Sequence, residues 1–242
     1  PKGVLFLTAG IDVQADRIEV YIWGWGRGLE SWLIEYRVLP GDPYQDDVWT
    51  ALDGVIAETW PHAKGSDLAL VKVAIDAGYA TTRVHAWVKR HPQRVVAVKG
   101  VAFGAAGVGH PQAVDVAPEQ GKKKKRRAGT IYPVVGGIYK AEFYGYLRLE
   151  APTRESGDPF PAGFVHLAKF DEEVFKQLTA EQLVTRVVKF RKKTEWEKTR
   201  ERNEALDCRV YARAAAAIYG IDRFQAKHWA NLEAHLGSRP AQ

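Results

Sequence analysis

Three aspartates in this sequence are spaced so that their carboxylates could act as one group. Asp12 follows a short apolar run at residues 4–8, and Asp76 closes a second apolar, β-branched run at residues 68–75. Asp207 lies at the start of an Ala-rich pattern with helical spacing. Because the ends of neighbouring strands meet at one edge of a sheet, we expect the two strand-end carboxylates to lie together there, with the helix supplying the third.

Clustered carboxylates repel one another, and in a partly dry cleft each raises the pKa of its neighbours. Such a group stays ionised only if a cation neutralises it, and oxygen ligands favour Mg²⁺ or Mn²⁺. Two such ions, about 4 Å apart, activate water and stabilise the leaving oxygen in phosphodiester hydrolysis. Asp12, Asp76 and Asp207 are therefore predicted to be metal ligands and catalytic residues, with two ions expected.

These positions also have a structural interpretation. Asp12 lies at a tight connection, where Asp commonly forms turns, and on that stretch alone the turn interpretation is favoured. The second strand with the same ending, at Asp76, reverses that preference. Asn203 and Glu204 lie four and three residues before Asp207, so on a helix they share its face and are secondary candidates for the site.

Hydrophobic patterns predict the elements that would position these residues. Residues 17–25 alternate with a period of two, which is typical of a strand with two different faces, and they pair with the first run as a hairpin. The first half of the chain follows the order β-β-β-α-β-α-β, which predicts an α/β fold with a mixed central sheet flanked by helices. The predicted strands lie at residues 4–8, 17–25, 31–39, 68–75 and 94–99, and the predicted helices at residues 44–60 and 81–90.

The second half is less regular. Residues 99–128 are punctuated by glycines and are predicted to form a long flexible segment without regular structure. A capping box, Thr179-Ala-Glu-Gln182, predicts a helix start. Residues 1–220 are predicted to form one domain with a flexible basic insertion at about 100–130, and residues 221–242 a C-terminal helix and tail. Further strands are predicted at residues 130–135, 164–167 and 183–191, and helices at 139–149, 171–177 and 203–220.

Two basic segments could contact a phosphate backbone. The first segment, called the basic run below, consists of Lys122, Lys123, Lys124, Lys125, Arg126 and Arg127. The basic run is either a solvated segment kept disordered by self-repulsion or a DNA contact, and both can hold if it orders on DNA. The second segment, residues 190–202, contains Arg191, Lys192 and Lys193 ahead of Trp196, close to the Asp207 helix.

Composition narrows the class of protein. The chain has 242 residues, of which 46% are hydrophobic, so it can bury a sizeable core, and no apolar run is long enough to span a membrane. The single cysteine, Cys208, excludes an internal disulfide and a Cys-based zinc site. A net charge of +6 is compatible with a nucleic-acid partner. The chain begins at Pro1 and contains no Met, so we expect it to be a fragment or a processed piece.

Four sequence blocks narrow the interpretation further. GIDVQ, ESWLIEY, AIDAGY and RNEALDCRVYA occur in that order across nearly the whole chain. With these blocks the chain resembles the C-terminal nuclease region of the large terminase subunit of lambda-like tailed phages. Strand-end Asp, strand-end Asp and helix Asp is the arrangement of ribonuclease-H-like nucleases, which is the fold that the resemblance implies.

The resemblance implies a specific activity and setting. It implies a metal-dependent endonuclease that cuts concatemeric double-stranded DNA during genome packaging, with Asp12, Asp76 and Asp207 carrying the chemistry. A lysine at the start of a helix in the family matches Lys140, which is a candidate for a phosphate contact, although a plain surface position is preferred. The implied partners are an N-terminal packaging ATPase domain, a small terminase subunit and a portal. The implied location is the host bacterial cytoplasm, at the procapsid.

Two other functions stay open on the residues alone. Another ribonuclease-H-like enzyme, such as a resolvase, a transposase or an RNase H, would use the same metal chemistry, and only the sequence blocks argue against it. A non-catalytic DNA-binding domain is disfavoured, because a protein that only binds a polyanion has no need of converging carboxylates. We expect Mg²⁺ or Mn²⁺ as the cofactor both for the terminase-type nuclease and for another ribonuclease-H-like enzyme.

Overall fold

The centre of the protein is a mixed β-sheet. A computed structural model describes residues 1–116, 126–153, 155–188 and 190–237. The strands are β1 (Phe6–Val13), β2 (Arg17–Trp25), β3 (Ser31–Pro40), β4 (Thr59–Pro61), β5 (Asp67–Asp76), β6 (Val95–Val101), β7 (Gln112–Val116), β8 (Arg126–Val135), β9 (Val165–His166), β10 (Glu181–Val188) and β11 (Arg191–Lys198). The α-helices are α1 (Asp47–Ala57), α2 (Thr81–Val88), α3 (Gly136–Tyr146), α4 (Glu172–Leu178), α5 (Glu204–Tyr219) and α6 (Ala226–Gly237).

Strand order puts the chain's first strand in the middle of the sheet. The order is β7-β8-β6-β5-β1-β2-β3-β9, and β4 pairs with β5 outside this path. β1, β2 and β3 form an antiparallel meander, whereas β5 is parallel to β1 and β6 is parallel to β5. The predicted hairpin, the third strand and a fourth long strand beside the first are therefore confirmed, as is the α/β class with helices flanking a mixed sheet.

The two faces of β1 pack against different layers of helices. Leu7, Ala9 and Ile11 are buried in one hydrophobic cluster with residues of α1 and α2. Thr8 and Gly10 alternate with them and lie on the opposite face, which packs against α5. The period of two in a central strand thus gives each layer of helices its own set of contacts.

The α5 layer contains a second cluster in which small residues allow close packing. Ala212 and Ala216 of α5 have no exposed surface. Phe143 of α3, Leu178 of α4 and Trp229 of α6 belong to the same cluster, so three helices surround α5 on the sheet. Among the described residues, no helix is long and apolar enough to cross a membrane.

The first strand is longer than predicted. β1 continues past residue 8 to Val13, and Asp12 lies inside the ladder, directly opposite Glu19 of β2. The turn comes later, where Gln14 N–H donates to the Arg17 carbonyl at 2.9 Å. The prediction that this strand ends at residue 8 was wrong because β1 has a hydrogen-bonded neighbour on each side, and these ladders extend the strand through its glycine.

The predicted capping box does not start a helix. Thr179 follows the end of α4, and its hydroxyl donates back to the Phe175 carbonyl at 2.9 Å. Gln182, which would complete the box, lies in β10 and pairs with Glu197 of β11. The local pattern was wrong because the Thr179 hydroxyl bonds back to α4 and the residues from 181 onward form a strand ladder, so contacts outside the box decide the conformation.

The predicted structureless segment contains two strands. β7 pairs antiparallel with β8, and β8 lies parallel to β6, so residues 112–116 and the residues from 126 onward extend the sheet. Lys122, Lys123, Lys124 and Lys125 lie outside the described residues, and of Arg126 and Arg127 only the backbone, in β8, is described. The role predicted for the basic run therefore stays a prediction.

Candidate active site

β1 and α5 approach each other closely enough to bring their acidic residues together. The Thr8 hydroxyl donates to a backbone carbonyl of α5 at 2.8 Å. Two residues later, Gly10 lies against Cys208, and a Cβ on Gly10 would stand 1.8 Å from the Cys208 carbonyl oxygen. Asp12, two residues further on the same face, therefore reaches the first turn of α5, where Asp207 lies.

Asp12 is the most buried of the three aspartates, with 6% of its surface exposed. Burial, and then repulsion from Asp207, Asp76 and Glu204, raise its pKa to about 7. The Gln14 side-chain amide donates to an Asp12 oxygen at 2.5 Å and opposes this shift. A carboxyl group in this condition is half protonated near neutral pH and would gain from a nearby cation.

Asp76 joins the cluster from the neighbouring strand. It is the last residue of β5, which pairs with β1 in parallel through Ile11 and Ile75. Burial raises the pKa of Asp76 and repulsion from Asp207 adds to it, while the Gly78 N–H, at 3.2 Å, opposes the rise. The three predicted aspartates are therefore brought to one edge of the sheet, as the strand endings indicated.

Asp207 is held by two protein donors. The Lys140 ammonium lies 3.4 Å from one of its oxygens, and the Asn203 amide donates to the other at 3.0 Å. Burial raises the Asp207 pKa, the Lys140 charge lowers it, and repulsion from Glu181 raises it further. Asn203 therefore belongs to the site, as its helical spacing from Asp207 predicted.

Lys140 is not a surface residue. Only 13% of its side chain is exposed, and its ammonium donates to Glu181 at 2.7 Å as well as facing Asp207. Burial opposes its charge, but the Asp207 and Glu181 carboxylates outweigh burial and raise its pKa. The expectation of a surface position was wrong because α3 packs beside α5.

Glu181 is an acidic site residue that the sequence analysis missed. Its side chain is 5% exposed and accepts hydrogen bonds from Lys140 at 2.7 Å and Asn203 at 2.9 Å. The local sequence gave no signal for this role, because Glu181 reaches the site only where β10 starts beside α3 and α5. A capping-box pattern at the same position pointed to a different structure.

Glu204 forms ion pairs with two arginines. Arg17 donates to one of its oxygens at 2.6 Å, and Arg202 lies 3.4 Å from the other. Both arginines also pair with the fully buried Glu19 at 2.7 Å. Glu204 thus belongs to an ion-pair network beside Asp12, and its negative charge still contributes to raising the Asp12 pKa.

Basic and aromatic residues of β11 border the acidic site. Lys192, Lys193 and Trp196 line an open pocket of about 810 Å³ that also contains Lys140 and Asp207. The Lys193 ammonium pairs with Glu195 of the same strand at 2.5 Å. The structure thus brings two of the three predicted basic residues of this strand to the site.

Arg191, the third predicted basic contact of β11, differs from its neighbours in position. Arg191 is exposed at the start of β11 and does not line the pocket. The lysines of the basic run lie outside the described residues.

Comparison with known proteins assigns the family. Residues 1–229 match the family described as "Terminase large subunit gpA, endonuclease domain". The chain belongs to this family. It is 36% identical over 231 residues to the terminase large subunit of Escherichia phage lambda, and 33% identical over 236 residues to that of Enterobacteria phage P21. Each alignment covers 93% of this chain and 34% of the relative, so the chain spans about a third of the curated relatives' length.

A comparison with solved structures adds little to the terminase assignment. T. thermophilus RuvC, in complex with a Holliday junction substrate, matches with a TM-score of 0.26 and 14% identity. The match covers 39% of this chain and 63% of the RuvC chain. At this TM-score the likeness supports no statement about fold or function.

The acidic site of this terminase domain has a donor set that suits a hard divalent cation. Asp12, Asp76, Asp207 and Glu181 offer only carboxylate oxygens, which Mg²⁺ and Mn²⁺ prefer. In the part of the chain that is described, no three His, Cys, Asp or Glu side chains form a group ready to hold an ion by themselves. Protein donors, such as the Lys140 ammonium, hold the oxygens instead. The residue types fit the cation, and the raised carboxyl pKa values are what a site built for a positive charge would have.

Proposed function

We propose that this domain is a metal-dependent endonuclease that hydrolyses phosphodiester bonds of double-stranded DNA during phage genome packaging. One observation carries the proposal: Asp12, Asp76 and Asp207 come from separate elements to one edge of the sheet, where repulsion within the cluster helps to raise their pKa values. Membership of the terminase endonuclease family supports the reaction class.

We also propose that the fold is ribonuclease-H-like. The supporting observation is the order of the central strands, β3-β2-β1-β5-β6, in which a three-stranded antiparallel meander is followed by two strands parallel to the first. In this order the ends of β1 and β5 lie side by side. Helix α5, packed over both strands, adds the third carboxylate.

In this proposal Asp12, Asp76 and Asp207 hold two Mg²⁺ or Mn²⁺ ions. When bound, the ions would supply an activated water and would offset the charge on the leaving oxygen. Gln14 and the Gly78 N–H orient the carboxylates of Asp12 and Asp76 through their hydrogen bonds.

Basic residues around the acidic site complement the charge of the DNA substrate. The Lys140 ammonium offsets part of the negative charge of Asp207 and Glu181. Lys192 and Lys193 border the same pocket, where they attract the phosphates that the aspartates repel. Arg191, which does not line this pocket, and the basic run are proposed as further phosphate contacts.

The setting of the reaction is part of the same proposal. The chain spans about a third of its curated relatives, and we propose that a packaging ATPase domain precedes it in the whole protein. A small terminase subunit and a portal would be its partners, and concatemeric phage DNA its substrate. The site of action would be the procapsid in the cytoplasm of the host bacterium.

Plasmid cleavage by the purified chain in Mg²⁺, Mn²⁺ or EDTA tests the proposal. We expect cutting with either ion and none in EDTA, and no cutting by Asp76→Asn. Asp67→Asn is the matched control, because Asp67 is exposed at the opposite end of the same strand. A thermal melt gives a second measurement, in which Mn²⁺ should stabilise the wild type and Asp67→Asn more than Asp76→Asn.

Two results would contradict the proposal. Cutting that persists in Asp76→Asn would remove the assigned site. Cutting of an RNA–DNA hybrid in preference to duplex DNA would replace the proposed substrate with that of an RNase H.

A further inference from the structure

The β10–β11 hairpin, residues 181–198, is attached to the protein at one end only. The two strands form a sheet of their own, separate from the central one. The attachments lie at the base: Glu181 binds Lys140, and the Trp196 ring lies 5.4 Å from the Tyr144 ring. Trp196 also lines the pocket beside Asp207, and so does Lys192 near the tip, so β11 borders the acidic site along most of its length.

The hairpin exposes apolar side chains that a folded domain normally buries. Leu183 is 54% exposed, Val187 is 70% exposed, and Phe190, in the connection between the strands, is fully exposed. Leu183 and Val187 lie on the same face of β10. Their cross-strand partners are Trp196 and Lys192, both of which line the pocket. This face therefore carries two exposed apolar side chains, one near the base and one near the tip, with the Thr185–Thr194 pair between them.

Phe190 is unfavourable for folding on two counts. Its ring gains nothing from burial, and its φ of 63° places a bulky residue in the left-handed region, where Gly or Asn is favoured. The fold therefore gives no reason for phenylalanine at this position. A ring held out at the end of a hairpin has a use only against another molecule.

The charge near the tip of the hairpin indicates which kind of molecule the Phe190 ring contacts. Arg186 pairs with Glu197 and Lys193 with Glu195, so the charges of these two cations are partly offset within the hairpin. Arg191 and Lys192, one and two residues after Phe190, have no acidic partner in the described ranges of the chain. An exposed ring followed by two uncompensated cations complements nucleic acid, in which base faces are apolar and the backbone is anionic.

We propose that the β10–β11 hairpin is a DNA-binding arm and that the Phe190 ring inserts between adjacent bases of the duplex beside the acidic site. Arg191 and Lys192 contact the phosphates on either side of the inserted ring. Apolar side chains act as such wedges in other DNA-binding proteins, where they partly unstack one base step and kink the duplex. This inference rests on the proposed function, since it takes DNA as the substrate.

Binding in EDTA, with cleavage prevented, tests the insertion. The probe is a set of duplexes with 2-aminopurine at successive positions, because its fluorescence rises when the base is unstacked. We expect the wild type to raise the fluorescence at one or two neighbouring positions, Phe190→Ala to lose this signal, and Phe190→Trp to keep it. Phe103→Ala is the matched control, because Phe103 is a second exposed phenylalanine, 91% exposed, outside the hairpin.

Affinity and its salt dependence separate stacking from charge. Phe190→Ala should weaken binding roughly 5- to 100-fold without changing the slope of log affinity against log salt. An Arg191→Ala/Lys192→Ala variant should make that slope shallower, by about 0.9 for each phosphate that is no longer neutralised. The melting temperature of Phe190→Ala should equal or exceed that of the wild type, because the ring is exposed.

The outcomes distinguish this inference from the proposed function. If the wild type cuts and binds DNA but Phe190→Ala keeps the fluorescence signal, or Phe103→Ala loses it equally, the insertion is overturned and the nuclease proposal stands. If the wild type neither binds DNA in EDTA nor cuts it with Mn²⁺, both fail together. In that case the apolar tip would belong to a protein interface.

Discussion

Asp12 combines burial with a charge that the fold does not compensate. Its pKa of about 7 lies well above its ordinary value of 3.8, so the native state binds this proton more tightly than the unfolded chain does. The stabilising effect of the proton is complete below about pH 4 and is lost as the pH rises through about 7. Without metal, the Asp12 contribution should therefore make the protein less stable on going from pH 4 to pH 8.

Asp12→Asn should remove this pH dependence. The amide imitates the neutral carboxyl, so in EDTA the variant should be more stable than the wild type at pH 8, by at most about 4 kcal/mol. Urea unfolding from pH 4 to pH 8 measures the difference, with Asp67→Asn as the control. A difference between wild type and Asp12→Asn that does not grow with pH would show that the Asp12 carboxylate is already compensated.

Lys140 offers a second prediction at the scale of one side chain. Lys140→Met leaves Glu181 and Asp207 without their cation in a mostly buried place, and should lower the free energy of unfolding by about 3 kcal/mol in EDTA. Lys176→Met is the control, since its pair with Glu172 is exposed and should be worth less than about 1 kcal/mol. Equal losses in the two variants would mean that Lys140 acts as a surface residue.

The approach of β1 to α5 decides whether the site can form at all. Gly10→Ala would place a methyl group 1.8 Å from the Cys208 carbonyl oxygen, so the helix must move away from the strand. We expect a loss of at least about 3 kcal/mol, or no folding. Gly54→Ala is the control: Gly54 lies inside α1 with nothing within 4 Å of an added Cβ, and alanine there should stabilise by about 0.5–1 kcal/mol. Equivalent melting temperatures for the two variants would contradict the close approach.

Elements with strong local patterns could be predicted from the sequence, and so could the residues at their ends. The α5 pattern ends as expected at Gly220, whose φ of 118° suits glycine, and the apolar run of β5 ends at Asp76. Glu181 and Lys140 could not be predicted in their roles, because each reaches the site only through packing of elements that lie far apart in sequence. Local patterns cannot report such contacts, and at Thr179 they favoured a helix start that the tertiary contacts exclude.

For the whole molecule, the distribution of charge should govern DNA binding. The net charge is +6, yet the acidic site itself repels phosphates, so basic surface elsewhere must supply the attraction. Replacing the basic run by alanines should weaken binding to duplexes of any sequence about equally, because phosphate contacts carry no base information. The slope of log affinity against log salt should also become shallower, by about 0.9 for each phosphate that the variant no longer neutralises.

A second variant separates the two basic segments. Alanines at Arg191, Lys192 and Lys193 should also reduce the salt dependence, and both variants should melt close to the wild type. Binding is measured in EDTA at several salt concentrations. If only the second variant loses affinity and salt dependence, the basic run is a solvated segment without a role in DNA binding.

The hydrogen bond from Thr8 to Ala212 spans 204 residues of sequence, and it bears on the order of events during synthesis. The first strand leaves the ribosome long before α5. Asp12 therefore cannot come close to Asp207 until almost the whole domain has been translated. Contacts of such long range form late and slowly in folding. A chain that ends before α5 therefore lacks Asp207, and its acidic site is not assembled.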